Sequence, residues 1–548
     1  MDGISAARRE ALSYLLLVLA VFAVYSNVYH GGFLLDDQSL IITNVYLRDW
    51  SHLPDIFKNL NYAGSGTEKG FYRPVEEVLR LVLYQIFGLI PPPFHALNVV
   101  VHALNAGLVY RLGRKLGFGA GAVFSAALLW AIHPIYTQEV AYMSSTSELL
   151  WTTFCLLGLI ALLPDFTPRK TCLAVVFVLI GFISKETTVV FPALAAACLF
   201  IVSKDRLKPA TYIKTWPFWL LSTGYAAIYT YMNSYRPFEA STPELDSYAH
   251  HIFTRIITSL ATLPTYFGLV IYPTNLHMER AFPVFLSAFA WPVLVGAALV
   301  ACALTQMALG RGKRGITLSF GFFWFAAALS PFTGIVIPID AMISEGWIYM
   351  PAIGLVLGLA QALAVWVNGL KFEKAPALAA AGVAVAALLL GIKTYNQNEI
   401  FQTPVTFYEN IFKCGGNRVR AYPDLGIYYL NKQDFDNSVK YFKLAVENPN
   451  ERNVPSAAIH TQLALAYLGV TSDENYMVMP DAVIKALPYT NHIPEAIDEL
   501  NIALRIDPNF YFAHTLLSTI YRWQGDKGTA DYHYNKMLEI LRKMGRVK

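Results

Sequence analysis

Residues 11–40, ALSYLLLVLAVFAVYSNVYHGGFLLDDQSL, indicate the class of protein to which this chain belongs. The first part, about residues 11–29, is long and apolar enough to cross a bilayer as one helix. Arg8 and Arg9 precede it, and no small-residue cleavage site follows, so we interpret it as an uncleaved anchor. Two adjacent carboxylates, Asp36 and Asp37, follow where the chain leaves the membrane.

The composition agrees with a membrane protein. Of 548 residues, 55% are hydrophobic and only 15% are charged, and the mean hydropathy is +0.41. Soluble domains have about a quarter charged residues. The net charge of +4 and the lack of a basic block argue against nucleic-acid binding. The five cysteines show no paired spacing, so neither a disulfide framework nor a zinc site is predicted.

Lys and Arg residues lie in alternate loops between eleven apolar runs, which predicts an inside N-terminus and an outside C-terminus. Residues 256–272 contain Pro264 and are interpreted as a helix in the outer interface, because counting them as a span would put a basic loop outside. We therefore predict an all-α bundle of about eleven spans. The runs are 11–29, 95–112, 118–136, 148–163, 171–183, 187–202, 213–232, 285–309, 317–332, 348–369 and 376–394.

The first outer loop, residues 30–94, is long and includes a predicted amphipathic helix in FYRPVEEVLRLVLYQIFGL. Apolar residues recur there at helical spacing, with charged residues between them. We expect this helix to lie on the membrane surface rather than to span it. The apolar positions are Val75, Val78, Leu79, Val82 and Ile86, and the charged ones are Glu76, Glu77 and Arg80.

After about residue 395 the chain becomes soluble in character and matches the tetratricopeptide pattern of about 34 residues per repeat. We predict a membrane domain at 1–395, a linker at 396–416 and a tetratricopeptide α-solenoid at 417–548. An unrelated helical bundle is the alternative. The repeat positions are Tyr422, Leu425, Gly426, Tyr429, Phe442, Ala445 and Pro449; Leu463, Ala464, Tyr467, Ala496, Ala503 and Pro508 (interrupted by an insertion near 471–492); and Leu517, Ser518, Tyr521, Ala530 and Tyr534.

Charged and polar residues gather at the predicted outer ends of the spans. Cations could hold a phosphate there, while a carboxylate accepts a proton from an attacking hydroxyl. Each residue also has a structural interpretation, as a loop pair, a helix terminus or an internal salt bridge. The candidates are Asp36, Asp37, Arg73, His133, Glu139, Lys185, Glu186, Glu279, Arg280, Glu345 and Tyr349.

A polar stripe of His95, Asn98, His102 and Asn105 follows one face of the second span. Metal binding by the two histidines is disfavoured, because they lie two turns apart with no third ligand nearby. We predict interhelical hydrogen bonds instead.

In order, six stretches and the repeats resemble the tetratricopeptide-containing branch of the C-type (GT-C) glycosyltransferases, which includes the transmembrane and tetratricopeptide O-mannosyltransferases and prokaryotic relatives. The stretches are FLLDDQSLIITN, YRPVEEVLRLVLYQIFGL, FHALNVVVHALNAGLVYRL, HPIYTQEVAYMSSTSELL, GFISKETTVVFPAL and SEGWIYMPAIGLVL. The resemblance implies a membrane enzyme that uses a polyprenyl-phosphate-linked sugar, with an acidic residue of the first outer loop at its centre.

By the same resemblance, Asp36 and Asp37 match the acidic pair, and Arg73 and Lys185 match basic positions. His133 and Glu139 match a loop of the form HPxxxxE. One departure is that Gly346 and Trp347 follow Glu345, where relatives usually continue with Arg-Tyr, so a cation is missing. Phosphate binding is then expected from Arg73, Lys185 and Arg280.

The resulting hypothesis is sugar transfer from a polyprenyl-phosphate carrier to a hydroxyl, expected to be a protein Ser or Thr, by inverting displacement at the outer face. Asp36 or Asp37, with Asp36 favoured, is the expected base. His133, Glu139, Glu186, Glu345 and Tyr349 are expected to orient the substrates. No definite cofactor is predicted, and a divalent cation that bridges Asp37 and Glu139 stays open.

Three further expectations concern partners, location and alternatives. The repeats are expected to bind the acceptor protein. A bacterial inner membrane is the expected location, with the repeats on the periplasmic side. The alternatives are a non-enzymatic membrane-anchored scaffold and a glycosyltransferase acting on lipid or cell-wall glycans.

Overall fold

The computed structural model describes residues 6–66, 70–233, 243–278, 280–339, 341–416, 421–447, 456–470 and 492–543. Their regular structure is helical, and none of these residues forms a β-strand, which confirms the all-α prediction for the described chain. Contacts divide the chain into two units, Met1–Phe407 and Tyr408–Lys548. The division falls inside the predicted linker, residues 396–416.

The first unit contains the apolar helices and the first outer loop. Its α-helices are α1 (Ala6–Val24), α2 (Leu53–Lys58), α3 (Pro74–Phe87), α4 (Pro91–Lys115), α5 (Ala120–Ala131), α6 (Thr137–Ala141), α7 (Thr146–Leu162), α8 (Pro168–Phe182), α9 (Phe191–Val202), α10 (Trp216–Asn233), α11 (Pro243–His250), α12 (Ile252–Ile271), α13 (Trp291–Leu309), α14 (Gly312–Leu329), α15 (Tyr349–Asn368), α16 (Ala375–Asn398) and, across the division, α17 (Pro404–Lys413). Short 3-10 turns at Met143–Ser145, Glu186–Val190 and Glu345–Ile348 precede α7, α9 and α15.

Seven described helices are long and apolar enough to cross a membrane, and an eighth is possible if the bent pair Ala120–Ala131 and Pro134–Ala141 forms one span. The pair bends by 47°, as expected where Pro134 cannot continue a helix. The protein is therefore an integral, multi-pass membrane protein. Four other predicted runs form α4, α8, α9 and α10, which are short or polar, so the count of eleven stays a prediction. The seven are Ala7–His30, Met143–Leu162, Ile252–Ile271, Trp291–Leu309, Gly312–Phe332, Glu345–Asn368 and Ala375–Phe401.

Helix α3 forms where the sequence predicted it, but its charged side faces inward. Pro74 occupies its first turn, and Gly88, at φ +66°, ends it with an N–H that donates to the carbonyl of Tyr84. Its two glutamates and its arginine are about 1% exposed, whereas Ile86 and Phe87 are exposed. Charged groups that face inward from an apolar helix are typical of a protein cavity beside lipid rather than of a water-facing surface. The buried charged residues are Glu76, Glu77 and Arg80.

An apolar cluster fixes the first outer loop against α3 and the turn before α7. The loop, the helix and the turn therefore pack against one another, and this packing fixes the positions of their polar residues relative to each other. The cluster consists of Leu40, Ile41, Leu47, Ile56, Leu81, Phe94 and Met143.

Helix α12 is long enough to span a bilayer, yet its polar contacts involve segments predicted at the outer ends. The Val270 carbonyl accepts from His133 at 3.0 Å, and the Tyr266 hydroxyl donates to the Ser344 carbonyl at 3.2 Å. Near its other end, the Thr258 hydroxyl accepts from the Phe285 N–H at 3.0 Å. These contacts favour the interpretation of α12 as an interface helix, which stays a prediction.

The second unit consists of packed helices. After α17, they are α18 (Ala421–Asn431), α19 (Phe435–Glu447), α20 (Ala457–Leu468), α21 (Ile493–Ile506), α22 (Tyr511–Gln524) and α23 (Lys527–Lys543). Gly426 lies so close to the Phe442 ring that a Cβ would come within 2.7 Å of it. Ala464, Ala496 and Ala530 are also fully buried, as close helix packing requires. The tetratricopeptide assignment stays a prediction, and most of the insertion, residues 471–491, lies outside the described residues.

Candidate active site

Residues 142–148, YMSSTSE, connect the first outer loop to the charged residues of the bundle. The Tyr142 hydroxyl accepts from the backbone N–H of Asp36 at 3.0 Å, and the Ser144 hydroxyl donates to the Asp37 carboxylate. The Ser147 hydroxyl accepts from Nη1 of Arg73 at 3.1 Å. Glu148 binds Lys185. This 142–148 segment therefore brings together four residues that the sequence analysis selected from distant parts of the chain.

Two asparagines of α4 hold this segment and the helix that follows it. Asn98 donates to the Tyr142 carbonyl at 3.0 Å and accepts from the Thr146 hydroxyl at 2.7 Å. Seven residues later, Asn105 donates to the Leu149 carbonyl at 3.0 Å and accepts from the Thr153 hydroxyl at 2.7 Å. These bonds confirm the predicted interhelical role of the asparagines in the polar stripe.

Asp37 is fully buried, and both of its carboxylate oxygens are used inside the protein. Oδ2 accepts from the Leu34 N–H at 2.8 Å, and Oδ1 accepts from Ser144. Leu35, in the turn between Leu34 and Asp37, has φ +46°. This left-handed conformation costs energy for a residue with a Cβ. Asp37 thus fixes a strained turn.

Asp36 lies in the same turn but is partly exposed. Its backbone N–H is held by Tyr142, whereas its carboxylate has no hydrogen bond or ion pair to any residue that the structure describes. The two adjacent carboxylates therefore differ. That of Asp37 is hydrogen-bonded within the turn, and that of Asp36 is available to bind a substrate.

Burial raises the pKa of Asp37 to about 7, although the hydrogen bonds from Ser144 and Leu34 and the charge of Arg80 lower it. The native state then keeps a proton on Asp37 between about pH 4 and 7, where the unfolded chain has lost it. The native state binds more protons in this range, so the free energy of unfolding falls as pH rises toward 7.

We therefore expect the free energy of unfolding to fall by up to about 4 kcal/mol from this group between pH 4 and 7. Thermal unfolding in nanodiscs at pH 5 and pH 8 measures the effect. Asp37→Asn, which keeps an oxygen for the Leu34 N–H, should show a smaller difference between the two pH values. An unchanged pH dependence in that variant would contradict the assignment.

Arg73 is 12% exposed and makes a two-point ion pair with Glu186. Nη2 lies 2.8 Å from Oε1 and Nε lies 3.3 Å from Oε2. The guanidinium also lies 4.3 Å from the centre of the Phe71 ring. Arg73 and Glu186 are 113 residues apart, so their pairing joins the first outer loop to the turn before α9.

Lys185 and Glu148 form a second, nearly buried ion pair. The other oxygen of Glu148 accepts from Nε1 of Trp151 at 2.9 Å. The ammonium of Lys185 also lies 5.5 Å from the centre of the Phe332 ring. Lys185 therefore has a carboxylate partner on another helix.

Arg280 and Glu345 form a third pair, with Nη2 2.6 Å from Oε1. The same oxygen accepts from the His277 N–H at 2.9 Å, and Nη2 also donates to the Asn275 carbonyl. All three cations predicted to bind phosphate are thus already paired with glutamates. Glu279 lies outside the described residues.

Glu139 is 4% exposed and contacts the backbone of Gly346. A Cβ on Gly346 would come 1.5 Å from Oε1 of Glu139, so any larger residue there would displace this carboxylate from its position. The departure from the family pattern at 346 thus coincides with the position of Glu139.

The polar atoms of His133 and Tyr349 form hydrogen bonds within the protein. The Nδ1 atom of His133 accepts from the Ile135 N–H at 3.2 Å, and Nε2 donates to the Val270 carbonyl. The Tyr349 hydroxyl lies 2.7 Å from Nδ1 of His102 and accepts from Asn105 at 3.2 Å. Their predicted roles in orienting substrates stay predictions, and these bonds favour structural roles.

The divalent cation left open by the sequence gains no support from the residues proposed to hold it. Both oxygens of Asp37 are hydrogen-bonded, and Glu139 contacts Gly346. In the described ranges, no three His, Cys, Asp or Glu side chains lie close enough together to hold a metal ion.

Four residues of the site were missed by sequence reasoning: Tyr142, Ser144, Ser147 and Glu148. They belong to the stretch HPIYTQEVAYMSSTSELL, and Glu148 begins an apolar run. An acidic residue at the start of a predicted span was the available signal. The buried pair of Glu76 and Arg80, 2.6 Å apart, was interpreted as a surface feature instead.

Comparison with known proteins gives one consistent family. The mouse protein named "Protein O-mannosyl-transferase TMTC3" is 22% identical over 92% of this chain, and its human counterpart is 21% identical over the same share. The human "Protein O-mannosyl-transferase TMTC4" is 30% identical over 24% of the chain. This chain is similar to the TMTC proteins. No family model and no solved structure matches it.

The chain spans 58% of the length of mouse and human TMTC3. It covers 20% of human TMTC4. The long TMTC3 matches extend across the membrane helices and most of the second unit. The resemblance inferred from the ordered motifs is therefore confirmed for the TMTC branch.

Proposed function

We propose that the protein is a glycosyltransferase that moves a sugar from a polyprenyl-phosphate carrier to a Ser or Thr hydroxyl of a protein. The observation that supports this most is the difference between Asp36 and Asp37. A general base must have a carboxylate oxygen free for the attacking hydroxyl. Asp36 has one, in a turn that Asp37 and Tyr142 hold rigidly.

Arg73 and Lys185 are the proposed ligands of the donor phosphate, with Arg280 as a third cation. Donors fixed in a dry site stabilise developing charge better than water does. Each cation is balanced by a glutamate, so a bound phosphate competes with Glu186 or Glu148 for it. Attack by the acceptor oxygen opposite the phosphate inverts the anomeric carbon.

The names of the similar TMTC proteins support a protein acceptor and mannose as the first sugar to test. We propose that the second unit binds the acceptor, as extended peptides commonly bind the concave faces of helical repeats. We also propose that the site and this unit lie on the outer side of a bacterial inner membrane.

Purified chain in nanodiscs should transfer labelled sugar from polyprenyl-phosphate mannose to an unstructured protein rich in Ser and Thr. Mass spectrometry of the acceptor identifies the modified residue. A soluble nucleotide-linked mannose should give no transfer, because it lacks the lipid.

Three results would oppose the proposal in different ways. Transfer to a lipid-linked glycan but not to protein would favour the cell-wall alternative. Transfer from the nucleotide sugar would reject the lipid donor. No transfer from any of a panel of lipid-linked hexoses would favour the scaffold.

A further inference from the structure

The glutamates around the 142–148 segment are not equivalent in charge balance. Four of them each have a cation of their own. Glu139 has none among the described residues, although it is as deeply buried as the others. The balanced pairs are Glu76 with Arg80, Glu148 with Lys185, Glu186 with Arg73 and Glu345 with Arg280.

The groups near Glu139 raise the free-energy cost of ionising its carboxyl group. Glu148, whose negative charge acts on Glu139, is already paired with the ammonium of Lys185. On its other side Glu139 contacts the backbone of Gly346, which offers no charge. Two adjacent buried carboxylates that share one cation hold a proton more readily than both ionise. Burial and the charge of Glu148 therefore favour the protonated form of Glu139 in the resting site, although the charge of Lys185 opposes it.

The proposed reaction needs a proton near Glu139 to neutralise the leaving phosphate. A polyprenyl-phosphate sugar is a phosphodiester with one negative charge. When the bond between the anomeric carbon and the phosphate oxygen breaks, the leaving monoester gains a second negative charge. Lys185 supplies one positive charge, which Glu148 already balances, so the second charge is left uncompensated.

We propose that Glu139 is the general acid of the reaction and donates its proton to the leaving phosphate; this inference rests on the proposed function. The acceptor oxygen bonds to the anomeric carbon as the bond to the phosphate oxygen breaks. The acceptor's proton moves to Asp36, and the proton of Glu139 moves to the phosphate oxygen. When the products leave, Asp36 releases its proton to water and Glu139 takes one back.

Glu139→Gln tests this role because glutamine keeps the shape of the side chain and cannot release a proton. We expect kcat with a polyprenyl-phosphate sugar to fall about 10²-fold or more, with the donor KM changed only a few-fold. With a polyprenyl-phosphorothioate donor, whose leaving group is a weaker base, the loss should be at least several-fold smaller.

Glu77→Gln is the matched control. Glu77 is also buried without an ion pair of its own and accepts from Asn44 at 3.1 Å, but the charges that act on it are those of Arg80 and Glu76 and not that of Lys185. Whatever activity Glu77→Gln retains, the ratio of the parent kcat to the variant kcat should be the same with the phosphate donor as with the phosphorothioate donor. If Glu139→Gln does not fold, Glu139→Asp provides the same test, since a shorter acid should lose more kcat with the phosphate than with the phosphorothioate.

Three outcomes would overturn the inference. They are a Glu139→Gln kcat within about threefold of the parent, a loss that is equal for both donors, and a loss confined to the donor KM. Failure of the proposed function is distinguishable, because it would appear as no transfer by the parent protein from any lipid-linked sugar, whereas full activity of Asp36→Asn would remove only the base. Inactive Asp36→Asn together with fully active Glu139→Gln would reject only the general acid.

Discussion

Asp36→Asn should lower sugar transfer by about 10³-fold or more while leaving the fold intact. General base catalysis contributes roughly 10²–10⁴-fold, and asparagine cannot accept the proton. Since the Asp36 carboxylate has no described protein partner, its replacement removes no internal bond. Initial rates with a polyprenyl-phosphate sugar measure the loss, which should lie in kcat rather than in the donor KM.

Asp37→Asn is the control for this expectation. It should lower the thermal midpoint because the asparagine amide keeps an acceptor for the Leu34 N–H but has none for the Ser144 hydroxyl, and any loss of rate should follow the loss of folded protein. Full activity of Asp36→Asn would remove the catalytic assignment. So would a fall in thermal midpoint as large as that of Asp37→Asn, because the rate loss would then be structural.

Lys185→Met should destabilise the protein by about 3–5 kcal/mol, since it leaves Glu148 charged, buried and without its cation. It should also abolish transfer, because the phosphate loses a ligand. Adding Glu148→Gln should restore most of the stability, as removing both charges of a buried pair is often neutral. The double variant should stay inactive.

Thermal unfolding and transfer rates of the two single variants and the double variant form a cycle that separates the two roles. Glu148→Gln alone should be milder than Lys185→Met, because Trp151 still has an acceptor. Recovery of transfer in the double variant would show that Lys185 serves the fold only. A Lys185→Met protein as stable as the parent would contradict the buried pair.

The helices and the members of the charged cluster were predictable because local composition determines them. An apolar run of 20 residues forms a helix in a membrane whatever surrounds it. Asp36, Arg73 and Lys185 were selected because charge beside apolar runs is costly and needs a purpose.

The partners of these residues were not predictable, because they depend on packing between distant segments. Arg73 pairs with Glu186 across 113 residues, and no spacing rule indicates such a contact. The inward orientation of Glu76 and Arg80 was missed for a related reason. Periodicity shows that a helix has two faces, but only its neighbours determine which face meets lipid.

His133 illustrates a further limit of sequence reasoning. Its neighbours favoured a polar site, yet a nearby backbone N–H and the Val270 carbonyl use both ring nitrogens. Such bonds to backbone atoms are invisible in a sequence, since every residue offers the same groups.

The two asparagine–threonine pairs between α4 and α7 determine which related proteins could accept the first outer loop of this chain and keep it functional. They are seven residues apart on both helices, so a shift of one helix by a single residue breaks both pairs at once. The orientation of Tyr142 and Ser144, and hence of any loop they hold, is inherited from this alignment. A chimera that exchanges the loop between relatives needs matching asparagines in the recipient, even though neither asparagine touches the loop's carboxylates.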